Sequence, residues 1–380
     1  MNIRAVLITL LILCILCSSL FISVICMKLA QARREKMRSV YIKKIKPVLT
    51  GLFRAENGYF LRNYKRYISM LESPEEKNFL LEVLEDLLLE IIENGKTETR
   101  IRARTIADQM GLPPRSIAMI RSRLENIIAI GCRKAGLYQY KEAIPDIVKA
   151  LDIFSSNTQF EVLMALSRIG STSVMVQAFD KIHQYILVNE RAINEIVNVF
   201  SGDRFELFHK MLFHESDYLV RIFLKAIDKE TANALISDIL IKAKTGDKET
   251  RLASIIAIGK SGNERKIPVL TRAMRDTEWE IRAMAAKTLG ILTGPAAIAP
   301  LVKAARDREW WVRQNAVISI LAYPGCEMIL ASVIKSGDKY AYDSILYTLE
   351  KNNQKKLLPV IMEIWSNSPK KANLKLKVVS

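Results

Sequence analysis

Histidine and cysteine, the residues most used by metal sites and nucleophilic catalysis, are scarce in this chain. Its 380 residues include three histidines and five cysteines. His209 and His214 are five residues apart, so they lack the spacing of four that puts two ligands on one helix face. No Gly-x-Ser-x-Gly motif and no pair of catalytic carboxylates stands out. We therefore expect no enzyme activity, no cofactor and no metal.

Complete phosphate-binding loops are also missing from the sequence. The tripeptides at 95–97 and 259–261 read Gly-Lys-Thr and Gly-Lys-Ser, which resemble the end of such a loop. The glycine required five residues earlier is absent, because Glu90 and Ser254 occupy those positions. We expect both tripeptides to be helix ends, and we expect no nucleotide site.

Charged residues are absent between Arg4 and Lys28. The 23 residues 5–27 would form a helix of about 35 Å, enough to cross a hydrocarbon core of roughly 30 Å. Positive residues stay on the cytoplasmic side, so we expect a single-pass anchor in the inner (plasma) membrane, with the N-terminus outside and 28–380 in the cytoplasm. The basic residues that follow the anchor are Lys28, Arg33, Arg34, Lys36, Arg38, Lys43, Lys44 and Lys46.

A cleaved secretory signal is the alternative interpretation of this apolar stretch. The stretch is longer than a signal core, and its end lacks a small-x-small cleavage site, so both features favour an anchor. Residues 28–66 hold 12 Lys and Arg against two acidic residues, which predicts attraction to anionic lipid head groups. Three cysteines lie in the anchor and only Cys132 and Cys326 remain, so no disulfide framework is expected.

A repeat of about 31 residues runs through the rest of the chain. Asp276, Trp279, Ile281 and Arg282 recur 31 residues later as Asp307, Trp310, Val312 and Arg313. Each unit reads as two amphipathic helices, neither of which can bury its apolar stripe alone, so neighbouring units must stack into a solenoid. We expect the first helix to end at a glycine and the second to begin near a proline; the residues concerned are Gly131, Gly170, Gly259, Gly290, Pro145, Pro268 and Pro300.

The pattern D-x-x-W-x-[IV]-R-x-x-A, followed by L-G and by the second-helix proline, resembles the HEAT-repeat family in its short bacterial, lyase-like subtype. The resemblance is strongest over 247–322. It implies an α-solenoid of HEAT-like helix pairs, so that with the anchor we expect an all-α fold: a transmembrane helix followed by this solenoid. It also implies that Arg282 and Arg313 bond the turn aspartate of an adjacent unit. We divide the chain into an anchor (1–27), a basic juxtamembrane segment (28–50), a helical cap (51–96), the solenoid (97–366) and a basic tail (367–380).

The tryptophans supply the candidate binding residues. Trp279, Trp310 and Trp311 stand beside Arg282 and Arg313 in adjacent repeats, so stacking should place them along one edge of the solenoid. Tryptophan and arginine are the residues that most often anchor interfaces, so we predict a partner-binding site at these five residues. The alternative is that the tryptophans fill the seam between repeats.

The predicted function is a membrane-anchored scaffold whose solenoid binds a protein partner. Anchored proteins with this repeat resemble those found beside membrane glycosyltransferases of surface-polysaccharide synthesis, and this resemblance implies such an enzyme as a partner. A second hypothesis is a membrane-tethered DNA-binding regulator. Residues 104–124 resemble a helix-turn-helix, in which Arg115, Arg121 and Arg123 would contact phosphates. A bilin-lyase role is a third and weaker alternative.

Overall fold

The computed structural model describes residues 3–52, 73–152, 156–181 and 190–367. Within these ranges the chain forms α-helices joined by short turns, and no strand occurs there. The chain divides into two compact units, Met1–Ile153 and Phe154–Ser380. This division falls inside the range 97–366 that was predicted as a solenoid.

The N-terminal unit consists of six described helices. Apolar residues on the second helix recur at intervals of four (Leu80, Leu84, Leu88), and all are buried in a core shared with Ile106. Residues 61–71, which belong to the predicted cap, lie outside the described residues. The helices are α1 (Ile3–Leu52), α2 (Pro74–Asn94), α3 (Thr97–Gln109), α4 (Pro113–Ile120), α5 (Glu125–Tyr138) and α6 (Ile144–Lys149).

Helix α1 contains both the predicted anchor and the predicted basic segment. Within the described residues, its stretch Ile15–Lys43 is long and apolar enough to cross a membrane by length and composition. The described aliphatic side chains before Lys28 are exposed, whereas Tyr41 and Ile45 are buried against α2. The apolar stretch and the packed end are therefore parts of one 50-residue helix, about 75 Å long.

The C-terminal unit is a series of helix pairs in which the first helices of successive pairs pack on one another. In the third pair the second helix is broken in two at Leu235. The helices are α7 (Ser156–Ile169), α8 (Thr172–Lys181), α9 (Glu190–Asn198), α10 (Arg204–Leu212), α11 (Asp217–Ala226), α12 (Lys229–Ala234), α13 (Ile236–Thr245), α14 (Lys248–Ser261), α15 (Ile267–Ala273), α16 (Trp279–Leu292), α17 (Ile298–Ala304), α18 (Trp310–Ile320), α19 (Cys326–Ile334), α20 (Lys339–Lys351) and α21 (Leu357–Ser366).

The predicted proline positions are confirmed. Pro145 and Pro268 are the second residues of α6 and α15, and Pro300 is the third residue of α17. In the first turn the missing N–H of proline has no intrahelical partner to lose, so the residue is tolerated there.

The prediction that the glycines end the first helices is wrong for three of the four. Only Gly170, with φ +81°, follows its helix directly. Gly131, Gly259 and Gly290 lie inside helices, where they allow a neighbouring helix to approach closely. A β-carbon at Gly259 would lie 2.7 Å from Cγ2 of Thr288, and one at Gly290 would lie 2.8 Å from Cα of Ser319.

A buried polar cluster ties α5 to α2 in the N-terminal unit. The Tyr138 hydroxyl donates to Glu85 Oε1 at 3.0 Å, and Lys134 Nζ lies 3.0 Å from Oε2 of the same carboxylate. Burial, with the Glu85 charge close by, raises the pKa of Tyr138.

Replacing Tyr138 with phenylalanine should therefore destabilise the α2–α5 contact by about 1.5 kcal/mol, because the variant loses a hydrogen bond to a charged acceptor. Hydrogen exchange followed by mass spectrometry should show faster exchange of α5 amides. Tyr140→Phe, two residues further on, serves as the matched control. Equal exchange in the two variants would contradict the assigned role of the hydroxyl.

Candidate protein-interaction surface

Arginines of the first helices bind aspartates that precede the next first helix. Arg221 donates to Asp247 at 2.9 Å, and Arg251 contacts Asp276 in the same way one repeat later. We call these pairs, together with Arg282–Asp307, the Arg–Asp ladder. The intervals of 25 or 26 residues reflect the repeat, and the ladder ties together the third to the sixth helix pairs of the C-terminal unit.

The most buried pair of the ladder is Arg282–Asp307. Nε and Nη2 of Arg282 each donate to one carboxylate oxygen of Asp307 at 2.9 Å, so the pair is bidentate. The Arg282 Nη1 donates to the carbonyls of Asp276 and Thr277. Burial acts to raise the pKa of Asp307, but hydrogen bonds from Arg282 and from the Glu309 N–H outweigh it, and the pKa lies below its ordinary value.

The prediction for Arg282 is thus confirmed, whereas that for Arg313 needs correction. Arg313 donates through Nε to the Ser344 hydroxyl at 3.1 Å and through Nη1 to the backbone carbonyls of Asp307 and Arg308, not to an aspartate side chain. The aspartate 25 residues on, Asp338, uses its Oδ1 to accept the N–H groups of Tyr340 and Ala341 at the start of α20.

Arg282 and Arg313 cannot contact a partner in this structure, which corrects their assignment as binding residues. Arg282 is 6% exposed and Arg313 is 7% exposed. Their guanidinium groups hold neighbouring repeats together and are covered by them.

The tryptophans, in contrast, lie at the starts of two stacked first helices. Trp279 is the first residue of α16, and Trp310 and Trp311 are the first two of α18. Trp279 is 37% exposed and Trp311 is 55% exposed, whereas Trp310 is half-buried. Trp310 therefore partly fills the seam between repeats, and the other two indoles face solvent.

Two tyrosines of α20 extend this group, and sequence reasoning did not find them. Tyr340 is 68% exposed and Tyr347 is 43% exposed. The ring centroid of Trp310 lies 4.6 Å from that of Trp311 and 5.5 Å from that of Tyr347. The α20 segment carries no D-x-x-W motif, so the repeat pattern gave no signal. We name the group the aromatic surface: Trp279, Trp310, Trp311, Tyr340 and Tyr347.

Cations stand beside the rings of this surface. The guanidinium of Arg313 lies 5.5 Å from the Tyr340 centroid, and Nζ of Lys351 lies 5.7 Å from the Tyr347 centroid. Such contacts hold the rings in place, from beneath in the case of the buried Arg313 and from the exposed side in the case of Lys351.

Two of the basic residues after the anchor bind α2. Arg34 donates to both carboxylate oxygens of Glu82 at 2.7 Å, and Arg38 lies 3.0 Å from Asp86. The other described members of the predicted lipid-contacting set are exposed, namely Lys28, Arg33, Lys36 and Lys43; the side chains of Lys44 and Lys46 lie outside the described part of the chain.

Two arginines of the helix-turn-helix-like segment, Arg104 and Arg121, bind other parts of the N-terminal unit. Arg121 follows the eight-residue helix α4 and forms a bidentate pair with Asp146, at 2.8 and 3.0 Å. Arg123 lies in the loop between α4 and α5, and only Arg115 is on the predicted recognition helix. Arg104 donates to the Leu137 carbonyl at 2.9 Å. This placement does not provide a helix that presents three arginines to phosphates.

The two histidines near each other in sequence bind different aspartates. His209 Nδ1 lies 2.8 Å from Asp238, and His214 Nε2 lies 2.6 Å from Asp180. Both contacts join neighbouring helix pairs, so these histidines have structural partners.

Comparison with known families agrees with the architecture of the C-terminal unit. Residues 236–322, from α13 to the end of α18, match the family described as HEAT repeats. Residues 236–322 therefore resemble HEAT repeats, and the C-terminal unit that contains them is an α-solenoid of HEAT-like helix pairs, a class of fold that generally mediates protein–protein interaction. No curated protein matches the sequence.

Solved structures with some similarity include human deoxyhypusine hydroxylase in complex with glycerol. It is 18% identical, with a TM-score of 0.28, over 63% of this chain and 97% of that one. Another is YibA of Escherichia coli, 14% identical with a TM-score of 0.31, over 78% of this chain and 98% of that one. Both TM-scores are too low to support an inference.

Proposed function

We propose that this protein is a membrane-anchored scaffold that binds a protein partner on the aromatic surface of its solenoid. The anchor is the uncharged stretch of α1, and the solenoid faces the cytoplasm because the basic residues follow the anchor. The exposure of Trp311 and Tyr340 on neighbouring first helices is the observation that carries the proposal. Large aromatic side chains in a group are rarely left in water on a monomer without a function.

The chemistry of the aromatic surface suits a protein interface. Trp and Tyr bury much area for the few torsions they lose, and they dominate the binding energy of many interfaces. Truncation of such an anchor residue typically costs 2 kcal/mol or more, roughly a thirtyfold change in affinity.

Membrane anchoring would help the scaffold to find a partner in the same membrane. A partner in the same membrane meets the solenoid in a thin layer, so its effective concentration rises without any new contact. On the basis of the family resemblance, the partner we propose is a membrane glycosyltransferase of surface-polysaccharide synthesis. Lys28, Arg33 and Lys36 are exposed on α1, where they would face anionic head groups.

The test is affinity purification of the full-length protein from cross-linked native membranes, with mass spectrometry of what co-purifies. Recovery of a membrane glycosyltransferase, reduced at least tenfold by Trp279→Ala/Trp310→Ala/Trp311→Ala, is expected. Phe205 provides the matched control, since it is 47% exposed and, like Trp311, is the second residue of its helix. Its helix α10 is a second helix, so its start lies at the opposite end of the repeat.

Phe205→Ala should leave recovery unchanged. A folded triple-tryptophan variant that recovers the glycosyltransferase as well as the native chain does would show that the aromatic surface is not the binding site. Recovery of DNA and transcription proteins instead would reject the scaffold in favour of the DNA-binding hypothesis.

A further inference from the structure

A row of exposed basic residues runs along the C-terminal ends of the second helices. Lys244, Arg275 and Arg306 are spaced by 31 residues, and so are Arg272 and Lys303. All five side chains are exposed, at the ends of α13, α15 and α17 or in the turns that follow. Residues at equivalent repeat positions line up in a solenoid. We name these five residues the basic row.

Cations at helix C-termini have an ordinary explanation, because they complement the helix dipole. The basic row exceeds that need, since α15 (IPVLTRA) and α17 (IAPLVKA) contain no acidic residue, and the one acidic residue of α13, Asp238, is bound by His209. The nearest aspartates in the chain, Asp247, Asp276 and Asp307, are bound by Arg221, Arg251 and Arg282 of the ladder. The row therefore presents positive charge that its own helices do not balance.

A cavity opens within the basic row. It has a volume of about 250 Å³ and lies between α13, α14, α15 and the start of α16. Lys244 and Arg272 line it together with the ladder pair Arg251–Asp276. Its accessible apolar lining is Ala243, Val269 and Ala273, above a floor of buried residues: Ile255, Ile258, Leu270 and Ile281. This volume is below that of typical small-molecule pockets, and it suits one apolar side chain.

We infer that the basic row binds an acidic, extended protein segment that inserts one apolar side chain into the cavity beside Lys244 and Arg272. Charge complementarity selects the carboxylates. The half-enclosed cavity favours a peptide side chain over the flat surface of a membrane. This inference rests on the proposed function for the existence of a protein partner, and it adds the chemistry of the bound segment.

The repeat geometry also predicts the spacing of the carboxylates. Packed helices lie about 8–10 Å apart, and a segment in the extended polyproline II conformation advances about 3.1 Å per residue with three residues per turn, so every third side chain faces the solenoid. A segment that crosses the second helices therefore meets one repeat about every third residue. Acidic residues at every third position, with one aromatic residue between them, should bind best.

The test measures fluorescence anisotropy of a labelled peptide with the full-length chain in detergent. The peptide has glutamate at every third position and one phenylalanine. We expect Arg272→Glu/Lys303→Glu to weaken binding at least tenfold, and replacement of the peptide phenylalanine by alanine to weaken it severalfold. The matched control is Lys287→Glu/Lys356→Glu, two exposed lysines outside the row with the same total charge change; it should change affinity less than threefold.

If both double variants weaken peptide binding equally, the effect comes from net charge, and the basic row is not the binding site. Tighter binding of anionic vesicles or duplex DNA than of the peptide, lost in Arg272→Glu/Lys303→Glu, would overturn the choice of occupant. If the peptide does not bind, but recovery of the glycosyltransferase from membranes still depends on the tryptophans, this inference is rejected and the proposed function is not. If the protein binds the peptide but recovers no glycosyltransferase from membranes, the proposed function is rejected and this inference is not.

Discussion

Replacing Asp307 with alanine is expected to lower the free energy of unfolding of the solenoid by about 3–5 kcal/mol. The cost is large because Arg282, 6% exposed, would keep its charge without the bidentate acceptor. All four tryptophans lie in the C-terminal unit, so urea unfolding followed by tryptophan fluorescence reports on this unit.

The double variant Arg282→Met/Asp307→Leu tests whether the loss of stability comes from leaving a buried charge unpaired. Removal of both charges should restore most of the loss, because no buried charge is then left unpaired. Asp343→Ala, an exposed aspartate of α20, is the control and should have little effect. A loss below about 1 kcal/mol for Asp307→Ala would mean that water solvates Arg282 in place of the carboxylate.

The Arg282–Asp307 pair also predicts how the stability of the solenoid depends on pH. The pKa of Asp307 is lower in the folded chain than in the unfolded chain, where an aspartate titrates near 3.9. Its contribution to stability is therefore present above about pH 4 and is lost as the pH falls through the folded-state pKa. The stability gap between the native chain and Asp307→Ala should narrow in acid, whereas a constant gap would contradict this linkage.

Replacing Gly290 with alanine is expected to destabilise the solenoid by about 1–3 kcal/mol. Helix propensity alone predicts the opposite sign, because alanine in a helix interior is favoured over glycine by about 0.5–1 kcal/mol. The steric contact outweighs helix propensity, because the new β-carbon would lie 2.6 Å from Cβ and 2.8 Å from Cα of Ser319 in α18. The two helices would have to separate, and the Ser319 hydroxyl would lose its 2.9 Å bond to the Ala286 carbonyl.

Urea unfolding of three variants tests this packing. Lys287→Ala, an exposed position on the same helix, should be nearly neutral. Gly290→Ala/Ser319→Gly should recover part of the loss, because it removes the contacts with Oγ and Cβ of Ser319 and leaves only the contact with Cα. A Gly290→Ala chain more stable than the native one would show that the helix contact is not tight.

The repeat pattern was a good guide wherever one residue type has one physical role. Proline at Pro145 and Pro268 marked helix starts, because the ring suits only the first turn. The resemblance to HEAT repeats implied that Arg282 bonds a turn aspartate of an adjacent unit, and it does, whereas the same expectation failed for Arg313. Glycine has two roles, as a cap and as a close contact, and the sequence does not distinguish them. Gly259 was assigned the first role and has the second.

The candidate site could be predicted only in part. The repeat placed Trp279, Trp310 and Trp311 together, but the exposure of each ring depends on what the next helix places against it. Trp310 is partly covered by Tyr347, and Trp311 is not buried by the same contact. The basic row was present in the sequence as a spacing of 31, yet the cavity beside Lys244 and Arg272 exists only because four helices meet there.

By itself the sequence determined the all-α architecture, the stacking of helix pairs and a long apolar stretch at the N-terminus. These follow from local periodicity, because a helix buries whichever stripe is apolar. Tertiary structure alone decided which arginines are buried, which glycines admit a neighbouring helix and which aromatic rings face solvent. Each of these depends on a contact between residues of different helices, and such a contact forms only after the helices have packed.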